Sequence, residues 1–272
     1  MARAALTRRA VKVAASAVDR VRPASKGVVV LLYHRVGAGT GDEIDLAAAR
    51  FEEQMAVIAR TGRVMSLETA LERLAQPGDD PAPGVVVTFD DGTGDFVDVA
   101  LPILVQHRVP ATLYLATSYV DEGRAFAPGV HPLSWSALAD ACATGFVDVG
   151  SHTHRHVLLD RVEPREAVDD LDRSIGLIET HLGRRPRDFA YPKAVPGSPA
   201  AARAVRDRFR SAALAGTRAN VYGRCDPYRL ARSPIQVSDG TTFFERKLAG
   251  GLAFEDDLRR VLNRVRYAGA RS

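Results

Sequence analysis

The sequence predicts an α/β fold, a barrel of parallel strands wrapped in helices, on three observations. Short apolar runs alternate with helical runs from residue 28 onward, the pattern of a parallel sheet. About seven or eight such strands in roughly 240 residues is the arithmetic of a closed barrel. Two of the runs, Val85-Val86-Val87-Thr88-Phe89 and Gly145-Phe146-Val147-Asp148-Val149, stop at clusters of polar residues: Asp90-Asp91-Gly92 and His152-Thr153-His154-Arg155-His156. In parallel barrels the active site lies at the C-terminal ends of the strands.

Composition excludes several classes. With 46% apolar and 26% charged residues over 272 positions, the chain is ordinary globular material with room for a large core. No window approaches the roughly 18 consecutive apolar residues of a membrane span. The net charge of +4 is uneven. Residues 1–26 hold seven Lys or Arg (Arg3, Arg8, Arg9, Lys12, Arg20, Arg22, Lys26) against Asp19, so that stretch carries +6 and the rest −2. A basic tail on a near-neutral body argues against nucleic acid, which needs a basic face on the fold itself. Cys142 and Cys225 form neither a disulfide framework nor a metal-binding spacing, and their pairing stays open.

Three units are expected: a basic N-terminal helix or tail over 1–26, the barrel over 27–240, and a helical extension over 241–272. The first 22 residues read as an Arg-rich helix with Leu6, Val11, Val13, Ala14, Val18 and Val21 interleaved. Thr7-Arg8-Arg9 hints at a twin-arginine export signal. However, Lys12 breaks the apolar region, and Val13 to Val18 falls short of the about 7–15 apolar residues such a signal needs. Two readings stay open for residues 1–22, peripheral contact with an anionic membrane surface and a solvated tail. The expected location is the cytoplasm or the inner membrane surface, with export the alternative.

Val28 to Tyr33 reads as the first strand and delivers His34 at its end. A glycine-rich loop follows, then a helix over Leu46 to Arg60 with Phe51, Met55, Ile58 and Ala59 on one face. Ser66 is placed to cap the next helix. After the loop Pro77 to Pro81 comes the strand that ends at Asp90. Helices are then expected over 95–107, 134–144, 163–182 (stopped by Gly183) and 198–209. Strands are expected over 111–116, 146–149, 189–191, 211–214 and 230–237. Closing helices are expected over 243–249 and 255–267.

Adjacent carboxylates raise each other's pKa unless a cation or a proton resolves the conflict. Alone, Asp90-Asp91-Gly92 is equally well a turn. His152 and His156 change the balance, because an i, i+4 pair reaches one ion if the segment makes a helical turn. Two imidazoles and a carboxylate leave coordination positions open, as catalytic zinc sites do. The expected ligands are Asp91, His152 and His156, with zinc the expected ion and cobalt or nickel as alternatives. Asp90 would stay free as the base, since a divalent ion lowers the pKa of its water toward about 7. His34 is placed to give a proton to a departing amine. His154 is expected to face away, into a loop hydrogen bond.

At these residues the chain resembles the polysaccharide deacetylases that carry a NodB homology domain. Thr88-Phe89-Asp90-Asp91-Gly92 is similar to that family's first motif and His152-Thr153-His154-Arg155-His156 to its second. Phe189-Ala190-Tyr191-Pro192 resembles the third, and the approach from Leu133-Ser134-Trp135 to Gly150-Ser151-His152 is also alike; the likeness covers roughly residues 28–238. It implies a distorted (β/α)7 barrel and metal-dependent removal of N-acetyl groups from an aminosugar polymer or glycoconjugate. Three departures stand out. Ala190 occupies the place of an arginine that orients the base in many members, Pro192-Lys193-Ala194 replaces Pro-Tyr-Gly, and no histidine follows His181. The opening Tyr33-His34 is similar to the branch acting on poly-β-1,6-N-acetylglucosamine, whose acid histidine comes from this early strand. Arg232 is then expected to stand in for the missing arginine. Tyr191, Pro192 and Lys193 are expected to support the substrate, with a backbone N–H among them for the oxyanion.

The expected function is a metal-dependent carbohydrate N-deacetylase. The alternative is a catalytically silent carbohydrate-binding barrel, which would gain little from paired carboxylates. An Asp/His phosphodiesterase would need a phosphate cradle of glycines or clustered arginines at the strand ends, and none is evident. Tyr33, Trp135 and Tyr191 are candidates for stacking on sugar rings or equally for packing; His107, His131 and His181 read as structural or surface residues. Polymer identity and oligomeric state stay open.

Overall fold

A computed structural model describes residues 27–78 and 83–252. The tail expected over 1–26 and the helix expected over 255–267 lie outside the described residues. Seven strands form the barrel: β1 (Gly27–Tyr33), β2 (Gly84–Phe89), β3 (Ala111–Leu115), β4 (Val147–Ser151), β5 (Asp188–Ala190), β6 (Ser211–Ala215) and β7 (Leu230–Pro234). Each lies parallel to the next, and β7 returns to β1 with Arg232 opposite Val30, closing the ring. This is the expected distorted (β/α)7 barrel. The distortion is concentrated at β5, which has three residues and meets β4 at the single pair Ser151–Phe189.

The strands read as unbroken apolar runs because a parallel sheet is covered on both faces. Val28 to Leu31 and Val85 to Val87 are at most 1% exposed. Alternate residues nonetheless part company. Val29, Leu31, Val85 and Val87 pack against the helices, whereas Val28, Val30, Val86, Tyr114, Ala190, Ala213 and Leu230 join a separate cluster filling the ring. Gly150 makes room for that filling, since a Cβ there would come within 2.5 Å of the Tyr114 ring. The period of two then carries Val86, Thr88 and Asp90 along one inward stripe, which aims Asp90 into the mouth.

Eight helices are described: α1 (Ala48–Arg60), α2 (Leu67–Leu74), α3 (Leu101–Gln106), α4 (Thr117–Glu122), α5 (Trp135–Ala143), α6 (Pro164–Leu182), α7 (Pro199–Arg208) and α8 (Gly240–Leu248). Ser66 caps α2 through Thr69 N at 3.2 Å, and Gly183 ends α6 at φ 67. Some boundaries differ from expectation. The helix expected over 95–107 is a π turn (Phe96–Ala100) running into α3, because Pro102 has no N–H to continue the ladder. The last strand stops at Pro234 rather than at 237, giving way to a short 3-10 turn, Val237–Asp239. The six-residue α4 and a two-residue ladder, Arg35–Val36 with Asp45–Leu46, were not expected. Lys247 secures α8: fully buried, its Nζ donates to the Asp239 carboxylate at 2.8 Å and to Pro234 O at 2.7 Å. Cys142 and Cys225 are free thiols. No helix among the described residues is long and apolar enough to cross a membrane.

Candidate active site

The end of β2 separates the two carboxylates. Asp90 N donates to Tyr33 O at 3.1 Å, extending the sheet by one residue. Asp91 then turns into the left-handed region at φ 75, a conformation Asp tolerates better than most residues, and Gly92 follows at φ 98. Asp90 continues the inward stripe, while Asp91 is swung across the rim toward the histidines.

Asp91 Oδ1 lies 3.5 Å from His156 Nε2 and 3.8 Å from His152 Nε2. One donor atom from each of these residues lies within 4.8 Å of the others. His152 Nδ1 is 2.8 Å from Ala190 O, and a carbonyl only accepts, so the proton sits on Nδ1 and the Nε2 lone pair faces the carboxylates. Separations of 3.5–3.8 Å are too long for hydrogen bonds and suit a cation between the three. Two imidazole nitrogens and a carboxylate oxygen in a buried pocket are the donors of an open divalent-metal site, so these residues fit the expected ion.

The route by which the histidines converge corrects the sequence expectation. Residues 152–156 make no helical turn; left-handed bends at Thr153 (φ 66) and His156 (φ 59) curl the loop and bring the two rings to 4.9 Å. The reason is a distant acceptor. Asp170 on α6, 3% exposed, takes the N–H groups of His154 (2.6 Å) and Arg155 (3.3 Å) and the Arg155 Nε (2.7 Å), so the loop has no need of helical carbonyls. Sequence reasoning missed Asp170, although an acid on the buried stripe Ala167, Asp170, Leu171, Ser174, Ile175, Ile178 is a readable signal. His154 faces away, with Nδ1 3.0 Å from Thr117 Oγ1.

Arg232 reaches from β7 to Asp90 with both terminal nitrogens, at 2.6 and 2.9 Å, a bidentate pair in which Arg232 is 0% and Asp90 4% exposed. Its guanidinium also lies 5.1 Å from the centroid of the Tyr114 ring. Burial pushes the Asp90 carboxyl up, but Arg232 and then His152 more than offset it, leaving the group at about 2. Burial likewise raises Asp91, and His34, His156 and His152 bring it below the usual carboxylate range. For His156, burial and the neighbouring His152 lower the pKa to about 4. His34, at the end of β1, feels the same carboxylates: burial lowers its pKa, while Asp91 and Asp90 pull the other way. Its Nδ1 is buried with no hydrogen-bond partner among the described residues.

Of the other sequence candidates, Tyr191 (4% exposed) packs edge-on against Phe189 at 5.0 Å, and Pro192 is buried beside it. Lys193 is exposed in a left-handed conformation at φ 55. The Tyr33 ring lies between Phe51 and Phe89, with its hydroxyl donating to Gln54 Oε1 at 2.8 Å. Trp135 stacks on His181 at 4.3 Å.

Residues 78–209 match the sequence family described as polysaccharide deacetylase. A poly-β-1,6-N-acetyl-D-glucosamine N-deacetylase of Staphylococcus epidermidis is 27% identical over 125 residues, 43% of this chain and 43% of that protein. The solved structure of IcaB from Ammonifex degensii, 26% identical, superposes with a TM-score of 0.72 over 84% of this chain and 99% of that one. The deacetylase PplD of Streptococcus pyogenes, solved with acetate, shares the fold at 19% identity, with a TM-score of 0.70 over 83% of this chain and 99% of its own. The chain spans about half the length of the curated relatives it matches, 55% of one and 43% of another. In sequence over 78–209 and in barrel architecture, the chain is similar to the polysaccharide deacetylases.

Proposed function

We propose that the protein is a metal-dependent hydrolase that removes N-acetyl groups from an N-acetylated aminosugar polymer or glycoconjugate. One observation carries the proposal: a buried Asp91–His152–His156 donor set stands beside a second carboxylate, Asp90, that Arg232 keeps ionised. The named activity of the Staphylococcus relative and the likeness in fold to IcaB of Ammonifex degensii support the same reading.

Asp91 Oδ1, His152 Nε2 and His156 Nε2 would hold a divalent ion, with zinc proposed and cobalt or nickel as alternatives. When bound, the ion supplies Lewis-acid polarisation of the acetamide carbonyl and acidifies water at neutral pH. Asp90 takes the proton of the attacking water on a carboxylate oxygen. Its pKa of about 2 makes it a weak base in isolation, so its contribution is position and permanent ionisation. Arg232, supplied from β7, fixes the carboxylate plane that Ala190 cannot reach. His34, when protonated, donates to the amine nitrogen as the C–N bond breaks; burial works against that protonated form, and Asp91 and Asp90 favour it. A backbone N–H in the turn after Tyr191 donates to the oxyanion. A place at the inner membrane surface would follow if residues 1–22 bind anionic lipid.

Acetate release from β-1,6- and β-1,4-linked N-acetylglucosamine oligomers tests the reading before chelation, after it, and after return of zinc, cobalt or nickel. Activity lost on chelation and restored by one of these ions is expected. Undiminished turnover after exhaustive chelation overturns it. Oligomer binding with no acetate under any metal leaves the silent barrel instead.

A further inference from the structure

The aromatic rings beside the donors are already engaged. Tyr119, set edge-on to His156 at 6.5 Å, is covered on one face by Phe126 at 4.2 Å and on the other by the Arg124 guanidinium, 4.0 Å from the centroid. Two groups that close cannot share a face. Tyr33 and Tyr191 are 2% and 4% exposed. None of these three rings has a free face on which a sugar could stack.

The turn that leaves β5 carries a charge instead. The carbonyl of Ala190 accepts from His152 Nδ1, so the turn leaving β5 is tied directly to a metal-ligand candidate. That turn is closed by Ala194 N to Tyr191 O at 3.0 Å and Val195 N to Pro192 O at 3.2 Å. Inside it, both Lys193 and Ala194 hold φ 55, a conformation costly to a residue with a Cβ and kept only where the surroundings impose it. Lys193 is exposed three residues beyond Ala190, whose carbonyl is tied to His152. Other cations near the mouth have acidic partners: Arg232 has Asp90, Arg155 has Asp170 and Glu166, Arg124 has Glu122. No carboxylate pairs with Lys193 among the described residues. With a divalent ion in place, Asp90, Asp91 and Arg232 leave the floor of the mouth with net positive charge, and Lys193 adds to it. A neutral glycan leaves that field unanswered.

We propose that Lys193 determines specificity by binding an anionic group, a carboxylate or a phosphate, carried by the N-acetylated sugar or its immediate neighbour. The substrate is then an acidic glycan or a phosphorylated glycoconjugate rather than a neutral polymer. The inference rests on the deacetylase reading above and narrows its substrate class.

The test uses three N-acetylglucosamine oligosaccharides of equal length: one neutral, one bearing a carboxylate, one bearing a phosphate monoester. Zinc-loaded wild-type protein is expected to favour an acidic substrate by about five- to tenfold in kcat/KM, through KM, the order of one exposed charged contact. The preference shrinks as ionic strength rises. Lys193→Met brings the acidic-to-neutral ratio to about one, whatever happens to the neutral rate, and Lys193→Arg preserves it. The larger gain between carboxylate and phosphate identifies the group. Equal kcat/KM for neutral and acidic substrates in the wild type overturns the proposal, as does a Lys193→Met variant that keeps the wild-type ratio. If no substrate releases acetate, the deacetylase reading has failed separately. Calorimetric binding of the same oligosaccharides to wild type and Lys193→Met then decides: tighter acidic binding lost in the variant supports the anion site, and equal binding removes it.

Discussion

Asp90 and Asp91 are chain neighbours with similar burial, 4% and 8% exposed, yet they sit in opposite electrostatic situations. Asp90 receives its cation from the chain, with Arg232 on both oxygens at 2.6 and 2.9 Å. Among the described residues Asp91 has only imidazoles beside it, at 3.5 and 3.8 Å, beyond hydrogen-bond reach. A single left-handed residue creates the difference, sending one carboxylate down the inner stripe and the other across the rim. One carboxylate is neutralised within the fold; the other stands where the proposed divalent ion would be held.

The largest consequence lies in the division of labour. Asp90→Asn is expected to lower turnover by about 10³-fold, within the range for loss of a general base, while the metal bound per chain, measured by plasma mass spectrometry, stays at the wild-type level. Asp91→Asn should lose both together. If Asp90→Asn also sheds the metal, the two carboxylates share one role and the contrast is gone.

Stability separates the two sides next. Arg232→Met strands a buried ionised carboxylate, so denaturant unfolding of the chelated protein should show a loss of about 3–5 kcal/mol. The double variant Asp90→Asn with Arg232→Met should recover part of it. Asp91→Asn in the same chelated state should cost less than about 1 kcal/mol, because no charge-assisted hydrogen bond to its side chain is lost. Comparable losses on the two sides would mean that Asp91 is satisfied as well.

Much of this arrangement is readable in the chain. Strands covered on both faces stay apolar throughout, so Val28–Tyr33 and Val85–Phe89 stand out, and His34, Asp90 and Asp91 are conspicuous as the polar residues at their ends. Arg232 is also conspicuous, a charge two positions after Leu230 on an inward face. The path from His152 to His156 is not readable, because its backbone is satisfied by Asp170 and its curvature by left-handed residues that are not glycine. Helix α4 escapes for a related reason. Six residues are too few for a periodic signal, and its first N–H groups bond to the histidine loop, Thr117 N to Thr153 O at 3.3 Å and Ser118 N to His154 O at 2.9 Å.

The two sides should also answer pH in different windows. His156 has a pKa of about 4 in the fold, below the ordinary histidine value, so the unfolded chain takes up its proton first. Chelated protein should therefore lose stability as pH falls from about 6.5 to about 4, with no further loss from this group below that. His34 and His154, also lowered by burial, add in the same direction. Asp90, depressed to about 2, contributes stability that is present above about 4 and disappears only as pH falls toward 2. His156→Gln should reduce the upper slope, and Arg232→Met the lower one, to which the depressed Asp91 also contributes. Urea midpoints across pH read both slopes, and an upper slope unchanged by His156→Gln would remove that group from the account.

The smallest effect concerns what holds the open side in shape. Asp90 is positioned by a charge, whereas His156 is positioned by packing. Helix α4 is sewn to the histidine loop by its two backbone bonds and by Thr117 Oγ1 to His154 Nδ1, and from it the edge of Tyr119, clamped between Phe126 and Arg124, meets the His156 ring. Tyr119→Ala should therefore weaken zinc about tenfold, the lower range for loss of a group supporting a ligand, read by competition with a chromophoric chelator. Tyr119→Phe should keep the affinity, because the contact is made by the ring and not the hydroxyl. If Tyr119→Ala binds zinc as the wild type does while Arg232→Met does not, the Asp90 pair is setting the geometry of the metal donors too, and the two sides are one mechanical unit rather than two.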